Sequence, residues 1–205
     1  FAYTYVRHVH QTLVYGLTCG KGAQALCEEL LGEEVLWIDI CKPGYTLARL
    51  CFEKMNAYKE KYGKDVQVLL LQNHGIFVAA NTVEEIGVLF DGVISKLETQ
   101  VKRTADVSNA VTPEKEQAAQ KLSQLLGHAV EVVPAAEADN FVKDKTAAAP
   151  LLKPFTPDHI VYCGPYPLLV ENIDQAKEAL DVFMKENDKE PRLILVQGIG
   201  AFIME

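Results

Sequence analysis

His8 and His10 stand one residue apart in a stretch, residues 3–10, rich in aromatic and β-branched types. On a strand, residues i and i+2 face the same way, roughly 6.5–7 Å apart along the backbone. Two imidazoles so placed can converge on one cation. Neutral imidazole is the commonest protein ligand for zinc and similar metals, and a catalytic site takes three protein ligands and keeps one position open. A third ligand must then come from elsewhere in the chain. His74 is the best placed: it follows the apolar run 66–71, beyond a strand end of the kind where α/β proteins gather functional groups. Gly75 beside it removes a side chain and permits close backbone approach. His128, after the helix-ending Gly127, and His159, in the turn-like Thr156-Pro157-Asp158-His159, fit less well, and Asp158 with His159 reads as a hydrogen-bonded turn pair. Plainer readings exist for the same residues. A His-x-His strand can be simply a polar sheet face, and His74 a turn residue bonded to backbone.

The elements that must position these side chains follow from the apolar pattern. Residues 3–10 read as a strand, 12–18 as a short helix, 23–31 as a helix closed by Gly32, and 35–40 as a strand. After the Pro43-Gly44 turn, Leu47, Leu50, Cys51, Met55 and Tyr58 keep helical spacing until Gly63. The continuous apolar run 66–71 predicts a strand covered on both faces. Asn73-His74-Gly75 predicts a tight turn, and 76–79 a returning strand. Thr82 and Glu85 form a capping-box pattern, behind which Ile86, Leu89, Phe90, Val93, Ile94, Leu97 and Val101 share one helix face.

Residues 104–112 are polar and unpatterned and predict a boundary. The expected domains are 1–104, carrying the histidines, and 105–205, a smaller α/β connector. In the latter, Pro113 starts a helix through Ala118, Ala119, Leu122, Leu125 and Leu126. Residues 129–133 read as a short strand, 147–154 as a loop, and 160–162 as a brief strand. Asn172-Ile173-Asp174-Gln175 caps a helix to about residue 187, and residues 193–196 return to strand. The sequence shows no internal repeat. Gly198-Ile199-Gly200 follows a strand, as a dinucleotide fingerprint would, but position 203 is Ile. A strand-ending turn is the ordinary explanation, so no cofactor-binding residues are expected there.

Bulk properties narrow the partners. The chain has 205 residues, 49% hydrophobic and 23% charged, which suits a globular protein with its own core. A net charge of −8 spread along the chain excludes the basic patch of a nucleic-acid binder and disfavours an anionic membrane surface. No apolar run is long enough to span a bilayer. Cys19, Cys27, Cys41, Cys51 and Cys163 are odd in number and lack C-x-x-C spacing, which points to reduced thiols and a cytoplasmic location. Phe1 is no initiator and no signal layout follows it, so the expectation is an internal piece of a longer protein.

Arg7-His8-Val9-His10, Pro43-Gly44-Tyr45-Thr46-Leu47-Ala48, Leu70-Leu71-Gln72-Asn73-His74-Gly75-Ile76-Phe77-Val78 and the capped helix at Glu84-Glu85 together resemble the class II aldolase/adducin family over about residues 1–103. Residues 155–160 and 191–200 look like the segment after the aldolase core in bifunctional rhamnulose-1-phosphate aldolase/short-chain dehydrogenase proteins. The resemblance implies an α/β fold: a class II aldolase-like layered sheet with flanking helices, then a smaller α/β segment. It implies Zn2+ or another divalent metal on His8, His10 and His74. The activity implied is cleavage of a ketose 1-phosphate, of the rhamnulose or fuculose type, to dihydroxyacetone phosphate and lactaldehyde. The metal would act as a Lewis acid on charge that develops as the carbon–carbon bond breaks. A homo-oligomer, commonly a tetramer, is also implied. The family's acid/base glutamate and phosphate loops lie mainly before the His-x-His pair, so no catalytic carboxylate is assigned, and Glu33 and Glu34 read as a solvated edge. Gln11 departs from the proline or serine common in the family. Adducins, which use the same fold for interaction, tend to lose the histidines, and ribulose-phosphate 4-epimerases share the retro-aldol chemistry.

Overall fold

The structure is a computed structural model that describes residues 1–205. It divides into two compact units, Phe1–Lys102 and Arg103–Glu205. Both are mixed α/β.

The first unit begins with β1 (Tyr5–Val9), α1 (Thr12–Thr18) and α2 (Ala23–Leu31), then β2 (Val35–Ile38) and α3 (Tyr45–Tyr62). A hairpin of β3 (Val68–Leu71) and β4 (Gly75–Ala80) follows, and α4 (Val83–Glu98) closes the unit. The strands lie in the order β1-β4-β3-β2. β2 and β3 are parallel, as the crossover through α3 requires, and the other pairs are antiparallel. Every residue of β3 is buried, because helices cover both faces of the sheet. On one face Val68, Leu70, Ile76 and Val78 pack with Val14, Leu31, Phe90 and Leu97 from α1, α2 and α4. On the other, Ile38, Leu69 and Leu71 pack with Leu47, Leu50, Met55 and Tyr58 of α3. Gly63 ends α3 at φ 70°, with its N–H on the Lys59 carbonyl.

The start of α4 differs from a reciprocal capping box. Thr82 Oγ1 accepts the Glu85 N–H at 3.1 Å, but Glu85 reaches past residue 82 to the Asn81 N–H at 3.4 Å and to Gln67 Nε2 at 3.2 Å. The carboxylate ties the helix to β3's approach as well as to its own first turn. Val101, expected on the buried face, lies beyond the helix end and is 45% exposed.

The second unit contains α5 (Pro113–Leu126), β5 (Val130–Val132), a one-turn helix α6 (Lys145–Ala148), β6 (Leu168–Val170), α7 (Ala176–Asn187), β7 (Leu193–Val196) and β8 (Gly200–Met204). Its strand order is β5-β8-β7-β6, with only β6 and β7 parallel. Leu122, Ile194, Val196 and Phe202 form a fully buried core under α5 and α7. Gly198-Ile199-Gly200 is the turn and start of the β7–β8 hairpin.

Two expectations here fail, and one strand was not foreseen. Residues 160–162 are not a strand but part of a π-type helical turn, His159–Cys163, with Ile160, Val161 and Tyr162 more than half exposed. Three apolar residues lack the length to signal pairing. Residues 147–154, read as loop, hold a 3-10 turn, Ala149–Leu151, and the end of α6, which Asp144 caps by accepting the Ala147 N–H at 2.8 Å. Strand β6 was not predicted at all, because Leu168-Leu169-Val170 is too short to show periodicity.

The polar boundary segment is an ordered strap. Ala110 N–H donates to the Pro134 carbonyl, and the N–H groups of Ala136 and Glu137 donate to the Ser108 and Asp106 carbonyls. Arg103 clamps Glu137 with two bonds of 2.7 and 2.8 Å, and Glu137 Oε2 also accepts the Asp106 N–H. The Arg103 guanidinium first, and the Asp106 N–H second, hold the Glu137 carboxyl down to about 2 from its ordinary 4.5. A folded value below the unfolded one means the clamp is complete above pH 4.5 and is lost as pH falls toward about 2. Amide exchange at Asp106, corrected for its intrinsic rate, should therefore lose protection across that window. Glu137→Gln should remove the pH dependence and leave Asp106 poorly protected throughout.

Candidate metal centre

The three histidines meet because β1 pairs antiparallel with β4. His8 lies opposite Phe77 and Val9 opposite Ile76, which brings the end of β1 to Gly75 and so beside His74. One nitrogen from each of His8, His10 and His74 lies within 4.8 Å of the others. The ring centroids form a near-equilateral triangle with sides of 4.9, 5.1 and 5.3 Å. His8 Nε2 and His10 Nε2 are 3.2 Å apart. Ligands at a Zn–N distance of about 2.0–2.1 Å in a tetrahedron sit roughly 3.3–3.4 Å from one another. That pair already has the spacing of two metal ligands.

Each ring is oriented by its surroundings. His8 Nδ1–H donates to the Ile76 carbonyl at 3.0 Å, which leaves the Nε2 lone pair toward the other two rings. The same ring stacks on Phe77 at 4.0 Å and 15°. Partial desolvation pushes His8 below its ordinary pKa, the bond to Ile76 opposes this, and His10 adds a further lowering. The ring is therefore the neutral ligand form near neutral pH. His10 lies 5.9 Å, centroid to centroid, from Tyr15. Gln11 is not a ligand: its Oε1 accepts the Val14 N–H at 2.9 Å and starts α1 immediately after His10.

His74 is placed by the hairpin turn. Its N–H donates to the Leu71 carbonyl at 3.1 Å, and Asn73 before it takes a left-handed φ of 58°. Asn73 N–H reaches the Thr18 carbonyl, and Gln72 N–H the Ile38 carbonyl at 2.9 Å. The Gln72 side chain then accepts the Ile40 N–H. This supporting layer of Gln72, Ile76 and Phe77 carried no signal in the sequence, since it acts through backbone groups and a ring face.

Gly75 sets the closeness of the site. A Cβ at this position would lie 2.6 Å from the Val9 carbonyl oxygen, 3.0 Å from His10 Cδ2 and 3.4 Å from His8 Cε1, and its φ of 153° disfavours any side chain. Glu33 and Glu34 are far from this end of the sheet. They precede Val35, which pairs with Val68, the opposite end of β3 from Leu71, roughly 10 Å away along the strand. Glu34 binds Lys96, and the Glu33 carbonyl accepts the Tyr58 hydroxyl. Among the other histidines, His128 pairs with Glu190 and the Glu205 carbonyl, and His159 sits in the helical turn near Phe155; neither joins the cluster.

The chemistry of the donor set fits a divalent cation of the zinc type: three imidazoles, one with a fixed tautomer, on the end of β1, just past it and in a hydrogen-bonded turn. No helix of the protein is long and apolar enough to cross a membrane.

Residues 2–101 match the family model described as Class II Aldolase and Adducin N-terminal domain. The uncharacterized oxidoreductase YuxG of Bacillus subtilis (strain 168) is 22% identical over 82 residues, which is 40% of this chain and 11% of that protein. The chain thus spans only a small part of that relative's length. Among solved structures, the N-terminal class II aldolase domain of a conserved protein from Thermoplasma acidophilum is 24% identical, with a TM-score of 0.42 over 50% of this chain and 44% of that one.

Gly75→Ala should break the site with all three histidines kept. The strain is expected to cost about 1–3 kcal/mol in a denaturant titration, and divalent-metal affinity should fall by at least tenfold in a cobalt absorption titration. Unchanged cobalt affinity in a folded Gly75→Ala protein would show that the close approach of Val9 is irrelevant to the site.

Proposed function

We propose, starting from the class II aldolase/adducin domain carried by residues 2–101, that His8, His10 and His74 hold a divalent metal, with zinc the best fit, and that the protein uses it in metal-dependent aldol cleavage of a ketose 1-phosphate. The observation that carries this reading is the convergence of three imidazoles on one point, with the His8 tautomer fixed by Ile76. Bound there, the cation would supply Lewis acidity toward the oxygens of the ketose at the bond that breaks.

The chain's own residues do the positioning. Ile76 keeps His8 Nε2 unprotonated, Phe77 holds the ring plane, and the Leu71, Thr18 and Ile38 carbonyls fix the turn that presents His74. Three protein ligands leave an open position for substrate. No carboxylate of the chain is among the cluster, so no residue is assigned as acid or base. An interaction module of the adducin kind has no use for three converging imidazoles, which favours the enzymatic reading. The rhamnulose or fuculose phosphates are the proposed substrate class, from the resemblance of residues 155–160 and 191–200. The name of the Bacillus relative, an oxidoreductase, accords with an aldolase part joined to a dehydrogenase part. An assembly of several copies in the cytoplasm completes the proposal.

Elemental analysis of protein purified without added metal, then after zinc incubation, should give about one equivalent. His8→Ala, His10→Ala and His74→Ala should each lose most of it. Cleavage of rhamnulose 1-phosphate by the protein as it occurs in the cell, rather than by residues 1–205 alone, should stop with chelator and return with zinc. A protein that holds metal but cleaves no ketose 1-phosphate would leave the metal site and remove the aldolase reading.

A further inference from the structure

The second unit repeats the first. Both sheets have four strands in the order first, fourth, third, second, with the second and third parallel and the rest antiparallel. In both, a helix joins the second strand to the third and ends on a left-handed residue, Gly63 at φ 70° in one and Asp188 at φ 52° in the other. The hairpins match residue for residue. Leu71 pairs with Gly75 and Leu69 with Phe77; Val196 pairs with Gly200 and Ile194 with Phe202.

The turns match down to their hydrogen bonds. Gln72 N–H to Ile38 and Gln197 N–H to Val170 are both 2.9 Å, and His74 N–H to Leu71 and Ile199 N–H to Val196 are both 3.1 Å. Asn73 N–H donates to the Thr18 carbonyl, and Gly198 N–H to the Val142 carbonyl. Asn73 and Gly198 are both left-handed, at φ 58° and 74°.

This frame carries the three ligand positions into the second unit. His74 corresponds to Ile199. His8, opposite Phe77, corresponds to Val132, opposite Phe202, and His10, two residues on, to Pro134. None of these can bind a metal. What lies over the matching glycine also differs. A Cβ on Gly75 would meet His10 and His8, whereas a Cβ on Gly200 would meet the stem of Lys115, with Cε at 3.4 Å and Cδ and Cγ at 3.5 Å. Lys115 is 6% exposed, and its ammonium is bound by Asp139 at 2.7 and 2.9 Å and by the Ala110 carbonyl at 2.9 Å.

We propose that residues 103–205 are a second copy of the metal-binding unit in which the ligands are gone and the buried Lys115 side chain, anchored by Asp139, fills the place of the imidazoles. The chain then holds one metal, in the first unit, and the second unit is its metal-free counterpart. A fixed ammonium with its own acceptors needs no ion and repels one. The repeat itself does not depend on the metal reading of the first unit; only the statement of what was lost does.

The test uses the full chain and cobalt(II), whose visible absorption reports histidine ligation. His8→Ala, His10→Ala and His74→Ala together remove the first site, and that background should bind no cobalt. Adding Val132→His, Pro134→His, Ile199→His and Lys115→Met should restore about one equivalent. A folded graft that binds none overturns the proposal, as does stoichiometric cobalt on the ungrafted background. Should the graft not fold, cross-strand NMR contacts in the natural chain decide: Val132 with Phe202 and Leu169 with Leu195 are expected, and any other register overturns it. Wild-type protein without metal beside a graft with metal would sink the metal reading and leave the repeat standing.

Discussion

The close approach of β1 to the first residue of β4 is the constraint on which the site depends. Val9's carbonyl comes so near Gly75 that a Cβ there would sit 2.6 Å from it, and both His8 and His10 lie within reach of the same point. That contact sets the register that puts His8 opposite Phe77. Register in turn decides which face the imidazoles take, since a slip of one residue would send both to the α4 side. Arg7, on that other side, lies 4.0 Å over the Phe90 ring and marks the same register from behind.

The rest of the first unit serves to make that approach rigid. β3 is buried along its whole length, so the hairpin that ends in His74 grows from the most fully buried strand of the sheet. Helix α1 begins at once after His10 and ends at Thr18, whose carbonyl takes the Asn73 N–H. One short helix thus ties the His-x-His strand to the His74 turn. Ligands held this way are preorganised, which matters because a site loose by even an ångström loses much of its affinity.

The second unit shows the same framework without the three imidazoles. The sheet order, the hairpin register and the turn bonds persist, while the ligand positions hold Val132, Pro134 and Ile199. His8 is exposed on its sheet face, whereas Val132 packs into the core with Leu122 and Phe202. Around β1 the first unit leaves this face open beside α3, whereas in the second α5 covers the matching strand and brings Lys115 over Gly200. Fold and function separate cleanly here: the backbone plan is shared, and the site resides in a few side chains.

The sequence by itself determined the local elements and the chemistry of the ligands. The bounds of α1 and α2, the hairpin around Asn73-His74-Gly75 and the left-handed stop at Gly63 were legible because periodicity, caps and glycine act through near neighbours. The His-x-His spacing put two imidazoles on one sheet face for the same reason. Short apolar segments were not legible: residues 160–162 looked like a strand and are a helical turn, while Leu168-Leu169-Val170 gave no sign of being one. The sequence already named His74 as the third of the group, and the convergence holds; only the tertiary structure showed that β1 pairs with β4 to achieve it, since pairing partners distant in sequence leave no trace in local pattern. It alone also revealed the repeat. Buried strand positions accept almost any apolar residue of suitable size, so the two hairpins share little beyond Leu70 and Leu195, Gln72 and Gln197, Gly75 and Gly200, Phe77 and Phe202, yet they hold the same register.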